Sequence, residues 1–211
     1  MRPLTRAAGW LIGIMVMVLG TSVPTNAADQ FREDAIKAAF LYRFTGYIEW
    51  PASMPEPEQF SIAVIGGDAV AAELKKILPG HDVQGRPTRV LRIESLKQIG
   101  DARILYIGPE YTGDMRGLIA RVPAHVLVVT DSGEGLDDGS AVNFMLVDRR
   151  VRFEISLNAA ERAGLKVSSE LLSVAARVLG VPQRSETHCE PRSLNDDAAV
   201  SCAARLASLD V

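Results

Sequence analysis

The residues best suited to binding or chemistry fall in two short stretches of this chain. Glu49 and Trp50 lie in the first, and Arg152, Glu154 and Asn158 lie in the second. Carboxylates, an indole, a guanidinium and an amide brought together could bind a polar ligand or a protein partner. The same residues also fit a core helix that ends in a packed tryptophan, a salt-bridged sheet face and a helix cap. We treat all five as binding candidates.

The side chains that could hold a metal ion are scattered. His81, His125 and His188 lack the spacing of metal ligands, which favours surface or structural roles. The acidic residues between positions 131 and 138 resemble calcium ligands, but their spacing misses the EF-hand template. We therefore expect a solvated loop there, and no metal site.

The sequence also lacks the motifs of a catalytic nucleophile or of a nucleotide-binding loop. Residues 66–68 read Gly-Gly-Asp after a strand-like run, where phosphate loops occur, but lack both phosphate-binding glycine patterns. Ser168 and Ser169 fit helix capping better than catalysis. We expect a protein that is not an enzyme and needs no cofactor.

Both cysteines, Cys189 and Cys202, lie near the C-terminus. In an oxidising compartment they could close a disulfide loop, worth about 3 kcal/mol by the chain-entropy estimate. Such a loop would order the C-terminal tail, not the core. Free or intermolecular thiols remain the alternative.

The elements that must position these residues begin with a helix. Apolar residues recur every three or four positions from Ala35, and Pro51 ends the helix near Trp50. Its predicted inward face consists of Ile36, Phe40, Phe44, Tyr47 and Ile48. A loop, a strand over residues 60–66 and a helix of about ten residues capped by Asp68 follow.

Strands then alternate with short helices. Strand-like runs occupy residues 89–93, 103–107 and 126–129, and helical stretches lie around Leu96 and over residues 115–122. This alternation predicts a mostly parallel sheet covered on both faces, a Rossmann-like three-layer α/β sandwich.

A C-terminal antiparallel hairpin should complete the sheet. Residues 142–147 and 151–157 flank a tight turn, and strict alternation in the second run gives it one polar face with Arg152, Glu154 and Ser156. Asn158 is the expected cap of a short helix that Gly164 ends. A last helix, capped by Ser168 or Ser169, should run to Gly180 with an inward face of Leu171, Leu172, Ala175, Val178 and Leu179.

The N-terminus has the order of a secretory signal. Arg2 and Arg6 precede an apolar run over residues 7–20, and small residues then predict cleavage after Ala27. The run is short for a membrane anchor, the alternative interpretation. We assign residues 1–27 to the signal peptide, 29–180 to one α/β domain, and 181–211 to a polar, partly disordered tail. Loss of the two arginines changes the formal charge from −3 to −5, which argues against nucleic acid.

The two stretches that carry the binding candidates also carry a family resemblance. Residues 39–51, AFLYRFTGYIEWP, look like the opening motif of the YfiR family, and residues 151–169, VRFEISLNAAERAGLKVSS, resemble its closing motif. Residues 83–87 are similar to the intervening pattern. The resemblance implies a Rossmann-like fold and a periplasmic repressor of a membrane diguanylate cyclase, and it supplies no catalytic residues. Because residues 29–180 contain no cysteine, it does not extend to redox control by core disulfides.

Two functions follow as expectations. The first is a non-enzymatic periplasmic regulator, which binds a membrane diguanylate cyclase or another inner-membrane sensor and tunes cyclic-di-GMP and biofilm formation. It predicts an exposed apolar patch. The second is a periplasmic small-molecule sensor with its ligand at the carboxyl ends of the strands, near Glu49, Arg152 and Glu154. A homodimer is left open.

Overall fold

A computed structural model describes residues 26–180 of the 211-residue chain. Residues 1–25 of the predicted signal peptide, the C-terminal tail, His188 and both cysteines lie outside that range, whereas the predicted cleavage site after Ala27 lies in the first turn of the first helix. The helices are α1 (Asn26–Tyr47), α2 (Asp68–Ile77), α3 (Met115–Ile119), α4 (Leu157–Arg162) and α5 (Ser169–Val174), with a 3-10 helix at Leu96–Gln98. Every helix within residues 26–180 is too short or too polar to cross a bilayer.

Ten strands build the sheets. They are β1 (Ile48–Glu49), β2 (Phe60–Ile65), β3 (Asp82–Val83), β4 (Arg86–Arg92), β5 (Ile104–Ile107), β6 (Leu127–Thr130), β7 (Val142–Val147), β8 (Arg150–Ser156), β9 (Lys166–Val167) and β10 (Arg177–Leu179). Eight of them form one sheet in the order β10-β8-β7-β6-β5-β2-β4-β3, and β1 pairs separately with β9.

The central sheet is mostly parallel. Strands β4, β2, β5, β6 and β7 run in one direction, and β8 returns antiparallel to β7. The predicted α/β fold with a C-terminal antiparallel hairpin is therefore confirmed. Asp148 and Arg149, between β7 and β8, have φ of 50° and 60°, the left-handed values that a two-residue type I′ hairpin turn requires.

Two apolar cores cover the two faces of the sheet. On one face, α1 and α2 pack on β2, β5, β6, β7 and β8. The rings of Phe44 in α1 and Phe153 in β8 meet edge to face with centroids 5.2 Å apart, and Phe44 also stacks on Phe144 of β7. Such aromatic pairs contribute about 0.5–1.5 kcal/mol each beyond the area they bury. On the other face, α3 and the 3-10 helix cover β2, β5 and β6.

The inward face of α1 differs from the predicted one. Phe44 and Ile48 are buried as expected and Phe40 is half-buried, but Ile36 and Tyr47 are among the exposed apolar residues. The helix also begins earlier than predicted and ends before Ile48, because Ile48 and Glu49 leave it to pair with β9. The inward stripe is instead Asp34, Lys37, Ala38, Leu41, Phe44 and Thr45.

Two predicted helix caps are wrong. Gly67 is the N-cap of α2, and Asp68, its first residue, pairs with Arg92. The Ser156 hydroxyl caps α4 by accepting a hydrogen bond from the Ala159 amide, so Asn158 is not the cap. The predicted cap at Ser168 is confirmed, since its hydroxyl accepts from the Leu171 amide.

The last predicted helix is also shorter than expected. It ends at Val174, and Arg177–Leu179 form β10 parallel to β8. The helical spacing of Val178 and Leu179 predicted a helix, whereas these residues pair with β8, more than twenty residues earlier in the chain. Local spacing does not reveal a partner at that distance. Gly180 follows with φ of 89°, in the region that favours glycine.

Candidate functional site

A buried ion pair lies where α1 crosses the carboxyl ends of β5 and β6. Lys37 Nζ is 2.6 Å from Asp131 Oδ2, and the Tyr106 hydroxyl donates a 3.1 Å hydrogen bond to the same oxygen. Burial raises the pKa of Tyr106, and the Asp131 carboxylate raises it further, so the phenol stays a protonated donor. These three groups fix α1 against the sheet edge.

A second carboxylate shares this environment. Asp34, one helical turn before Lys37, is buried and accepts a 3.4 Å hydrogen bond from Gln30. Burial raises the pKa of Asp34, an effect that Gln30 and Lys37 oppose and that Asp131 and Glu110 reinforce. Two carboxylates thus compete for one buried ammonium group.

A hydrogen-bonded chain extends from this end of β6 to β10. Thr130 donates to the Asn143 side chain at 2.8 Å, and Asn143 Nδ2 donates to Glu154 Oε1 at 2.9 Å. Arg177 Nε donates to the other Glu154 oxygen at 2.8 Å. Glu154 is only 4% exposed, so its charge is satisfied by Arg177 and Asn143. The predicted polar face of β8 therefore exists, but Glu154 lies buried within it.

The hairpin and α1 project together beyond the sheet edge. Thr130, the last residue of β6, pairs with Asn143, and β7 continues for four more residues, about 13 Å. At the tip, Arg149 contacts Asp29 of α1 at 2.8 Å. Between them lies a cleft of about 1020 Å³ lined by Asp29, Arg32, Glu33, Ile36, Leu146, Asp148, Arg149, Arg150 and Val151. We call it the α1–hairpin cleft.

A smaller polar crevice lies at the carboxyl ends of β2 and β4, beside the loop that follows β5. Its volume is about 550 Å³, and Gly66, Asp68, Arg92, Glu110 and Tyr111 are among its lining residues. The Glu110 carboxylate accepts a 3.2 Å hydrogen bond from the Asp68 amide at the start of α2. A carboxylate of the protein itself therefore occupies the helix N-terminus where an anion would bind.

The five candidate residues are divided between two places. Trp50 donates its indole N–H to the His125 carbonyl at 3.0 Å and packs edge to face on Phe60. Glu49 is exposed and pairs in register with Lys166 of β9.

The other three candidates lie near the hairpin strand β8. Arg152 is exposed and opposes Met145, and Glu154 is held by Arg177 and Asn143. Asn158 is exposed in α4, close to Gly180, where an added Cβ would lie 2.7 Å from Asn158 Oδ1. The α1–hairpin cleft and the polar crevice are lined by other residues.

The histidines within the described residues have structural contacts. His81 lies edge to face on Tyr42, and His125 Nδ1 is 3.0 Å from the Ala163 carbonyl. Residues 26–180 contain no group of three or more His, Cys, Asp or Glu side chains placed to hold a metal ion.

Sequence reasoning missed the cluster around Lys37. Asp131 was noted only as a loop carboxylate, and Asp34 and Lys37 were not noted. The sequence did contain a signal, the spacing of residues along α1. Asp34 and Lys37 continue the three-to-four-residue spacing of Leu41 and Phe44 and so lie on the same buried side of the helix. Charged residues on a buried stripe require partners, which points to a polar cluster at that end of the helix.

Comparisons with known proteins identify one family. A sequence model described as YfiR/HmsC-like matches residues 34–176. A conserved domain protein from Vibrio cholerae O1 biovar El Tor strain N16961 is similar in structure, with 11% identity, a TM-score of 0.43, and coverage of 69% of this chain and 60% of that one. An ABC domain from Streptococcus pneumoniae, solved in complex with L-Trp, gives 8% identity, a TM-score of 0.45, and coverage of 70% and 60%. The chain thus spans less than two thirds of both solved chains, and no curated protein matches it.

Proposed function

The chain belongs to the YfiR/HmsC-like family, and from that membership we propose that it binds and represses the periplasmic sensor part of a membrane diguanylate cyclase. The family is a regulatory, non-catalytic one whose theme is periplasmic control of diguanylate cyclase signalling. The observation that carries the proposal is the match over residues 34–176, which spans nearly all of the described α/β domain. Repression would lower cyclic-di-GMP and biofilm formation.

Export is part of the proposal. The basic, apolar and small-residue regions of positions 1–27 support delivery across the inner membrane by a cleavable signal peptide. N-terminal sequencing of the chain recovered from periplasm should then begin at Ala28. A chain recovered from the cytoplasm with Met1 intact would contradict it.

The α1–hairpin cleft is the surface that we assign to the partner. Its wall includes Ile36 and Leu146, which are 37% and 54% exposed, although apolar side chains of this size are usually buried. Charged residues of both signs surround them, among them Arg32, Glu33 and Arg149. Apolar groups within a polar rim are typical of protein interfaces.

Co-purification tests the proposal directly. The mature chain should bind the periplasmic portion of a membrane diguanylate cyclase from the same cell, and Leu146→Glu should weaken that binding at least tenfold. Val174→Glu is the matched control, because Val174 is 56% exposed and lies outside the cleft. If the native chain captures no cyclase, the function is wrong. If both variants bind like the native chain, the assignment of the cleft is wrong.

Small-molecule sensing is a second candidate, favoured by the polar crevice. Ligands of α/β sheets bind outside the carboxyl ends of strands where the strand order reverses, and the crevice lies beside β2, between β4 and β5. Mass spectrometry of molecules released on denaturing the native chain should then find one bound compound in stoichiometric amount. Its loss in Arg92→Glu, with retention in Arg43→Glu, would locate it in the crevice, and release of nothing would exclude this function.

A further inference from the structure

Another crevice lies between α3 and α4, beside the start of β6. Its volume is about 380 Å³, and its lining residues include Ile119, Val126, Val128, Ala141 and Arg162. It shares no lining residue with the α1–hairpin cleft or with the polar crevice. Sites for small ligands have volumes of about 300–1,000 Å³, so this crevice has the size for one small molecule. We call it the α3–α4 crevice.

The lining of the α3–α4 crevice is mainly apolar. Alternation along the start of β6 turns Val126 and Val128 to the side of the sheet that α3 covers. Both line the crevice, together with Ile119 and Val122 from α3 and the turn after it. An apolar group bound here would remove these side chains from water, which favours binding in proportion to the apolar area covered.

The main chain around this lining is already hydrogen-bonded. The His125 amide donates to the Ala163 carbonyl at 2.9 Å, and the Ala141 amide donates to the Val128 carbonyl at 3.1 Å. The His125 carbonyl accepts the indole N–H of Trp50 at 3.0 Å. These bonds hold the walls of the crevice together before any ligand binds, which lowers the entropy cost of binding.

The charged residues in the lining leave one positive charge in excess. They are Arg116, Asp138 and Arg162. Arg116 Nε lies 3.4 Å from Asp138 Oδ1, so this carboxylate already has a cationic partner. Arg162, the last residue of α4, is exposed and has no carboxylate within 4 Å among residues 26–180. An anionic group on the ligand would therefore complement Arg162.

We propose that the α3–α4 crevice binds a small apolar carboxylic acid, with its hydrocarbon body against Val126 and Val128 and its carboxylate at Arg162. A guanidinium group can bind a carboxylate through two parallel N–H···O bonds, a geometry that a hydroxyl group does not reproduce. The volume limits the size of the acid. At about 30 Å³ for each group the size of a water molecule, the crevice holds about a dozen non-hydrogen atoms. Peptide segments and long-chain lipids are larger than this.

Titration with octanoate tests the proposal, because octanoate is an apolar acid of this size. Octanol is the matched uncharged probe. Octanoate added to the full, isotope-labelled mature chain should cause saturable shifts of the Val126, Val128 and Ala163 amide resonances. We expect a Kd below about 1 mM, within the range that such small ligands reach. Octanol should bind at least about fivefold more weakly, because it lacks the charge-assisted hydrogen bonds.

Two pairs of variants locate the bound acid. Arg162→Gln should weaken octanoate binding at least about fivefold. Arg121→Gln removes the same charge from an exposed position outside the lining, and should leave the affinity within about twofold. Ala120→Trp adds an indole at an exposed position of the lining and should abolish the shifts, whereas Ala72→Trp, exposed in α2, should not.

Several results would overturn the proposal. The absence of saturable shifts, or shifts confined to the α1–hairpin cleft or the polar crevice, would exclude the site. Equal affinity for octanol and octanoate, or equal affinity of Arg162→Gln and the native chain, would exclude recognition of the carboxylate. Undiminished binding by Ala120→Trp would place the acid elsewhere. Circular dichroism identical to that of the native chain verifies that each variant is folded.

Discussion

Lys37 in α1 and Asp131, the first residue after β6, form an ion pair of 2.6 Å although only 6% and 16% of their side chains are exposed. The pair joins residues 94 positions apart and stands at the base of the region where α1 and the hairpin project beyond the sheet. Tyr106, in the neighbouring strand β5, donates a further hydrogen bond to Asp131. The position of the α1–hairpin cleft therefore depends on this cluster.

Removing the ammonium group should destabilise the fold. Lys37→Met leaves Asp131 and Asp34 buried without their cation, and breaking a buried pair in this way costs about 3–5 kcal/mol. Urea unfolding followed by circular dichroism measures the loss. Lys75→Met, at an exposed position of α2, is the control and should change stability by less than about 0.5 kcal/mol. Equal midpoints for the two variants would show that the pair is not structural.

Neutralising Asp34 should have the opposite effect at neutral pH. Burial raises the pKa of Asp34 above the ordinary value of 3.8, so the folded chain holds this proton more tightly than the unfolded chain. The resulting stability is complete below pH 3.8 and is lost as the pH rises through the folded pKa. Asp34→Asn has no carboxyl group to ionise at this buried position, so it should be more stable than the native chain at pH 7. Each ~1 kcal/mol of added stability should raise the Tm by about 2–4 °C.

The pH series supplies the check on this prediction. The advantage of Asp34→Asn should shrink as the pH falls toward 3.8, where the native carboxyl group is itself protonated. Glu33→Gln, its less buried neighbour on α1, should show no such dependence. An Asp34→Asn variant less stable than the native chain at pH 7 would mean that its attraction to Lys37 outweighs its burial.

Glu154 should prove structural because its carboxylate is saturated by protein donors. Glu154→Ala removes the acceptor for Asn143, which is 1% exposed, and for Arg177. Hydrogen bonds to a charged group are worth about 1.5–3 kcal/mol, and the loss should appear in a chemical unfolding curve. Glu161→Ala, exposed in α4, serves as the comparison. If Glu154→Ala keeps full stability but loses partner binding, the residue belongs to an interface instead.

The cysteines offer a prediction about the tail alone. If Cys189 and Cys202 are bridged in the exported chain, thiol titration of the unfolded, unreduced protein should find no free thiol. Reduction should leave the Tm of the domain unchanged, because residues 29–180 contain no cysteine. Two free thiols, or a disulfide-linked dimer on a non-reducing gel, would exclude the intramolecular bridge.

Local signals predicted most of the fold. Runs of apolar residues located β2, β5 and β6, and the tight turn at residues 148–150 located the hairpin. Gly164 and Ser168 were identified because a left-handed φ and a side-chain cap depend on the residue type and its immediate neighbours. Each of these features is determined within a few residues.

Features set by distant partners were not predictable in the same way. Val178 and Leu179 have helical spacing from Leu171, but pairing with β8 draws them into β10. Glu154 alternates like a solvent-facing residue, yet Arg177 allows it to be buried. The intrinsic preference of a segment for helix or strand is weak, and tertiary contacts override it. In both cases here the deciding contact is with a residue far away along the chain, which the local sequence pattern does not reveal.

The polar crevice depends on a backbone crossing that admits only glycine. An added Cβ at Gly108 would lie 2.2 Å from the Gly66 carbonyl oxygen and 2.7 Å from Gly67 Cα, both main-chain atoms that cannot move aside independently. Gly108→Ala must therefore separate the loops that follow β2 and β5, and overpacking of this kind costs about 1–3 kcal/mol or more. Gly46→Ala in α1 is the matched control, because no atom lies within 4 Å of its added Cβ. Alanine favours the helix there by up to about 1 kcal/mol, so the control should unfold at the same or a higher urea concentration than the native chain. Gly108→Ala should unfold at a lower one, and equal midpoints for the two variants would show that the loops separate without cost.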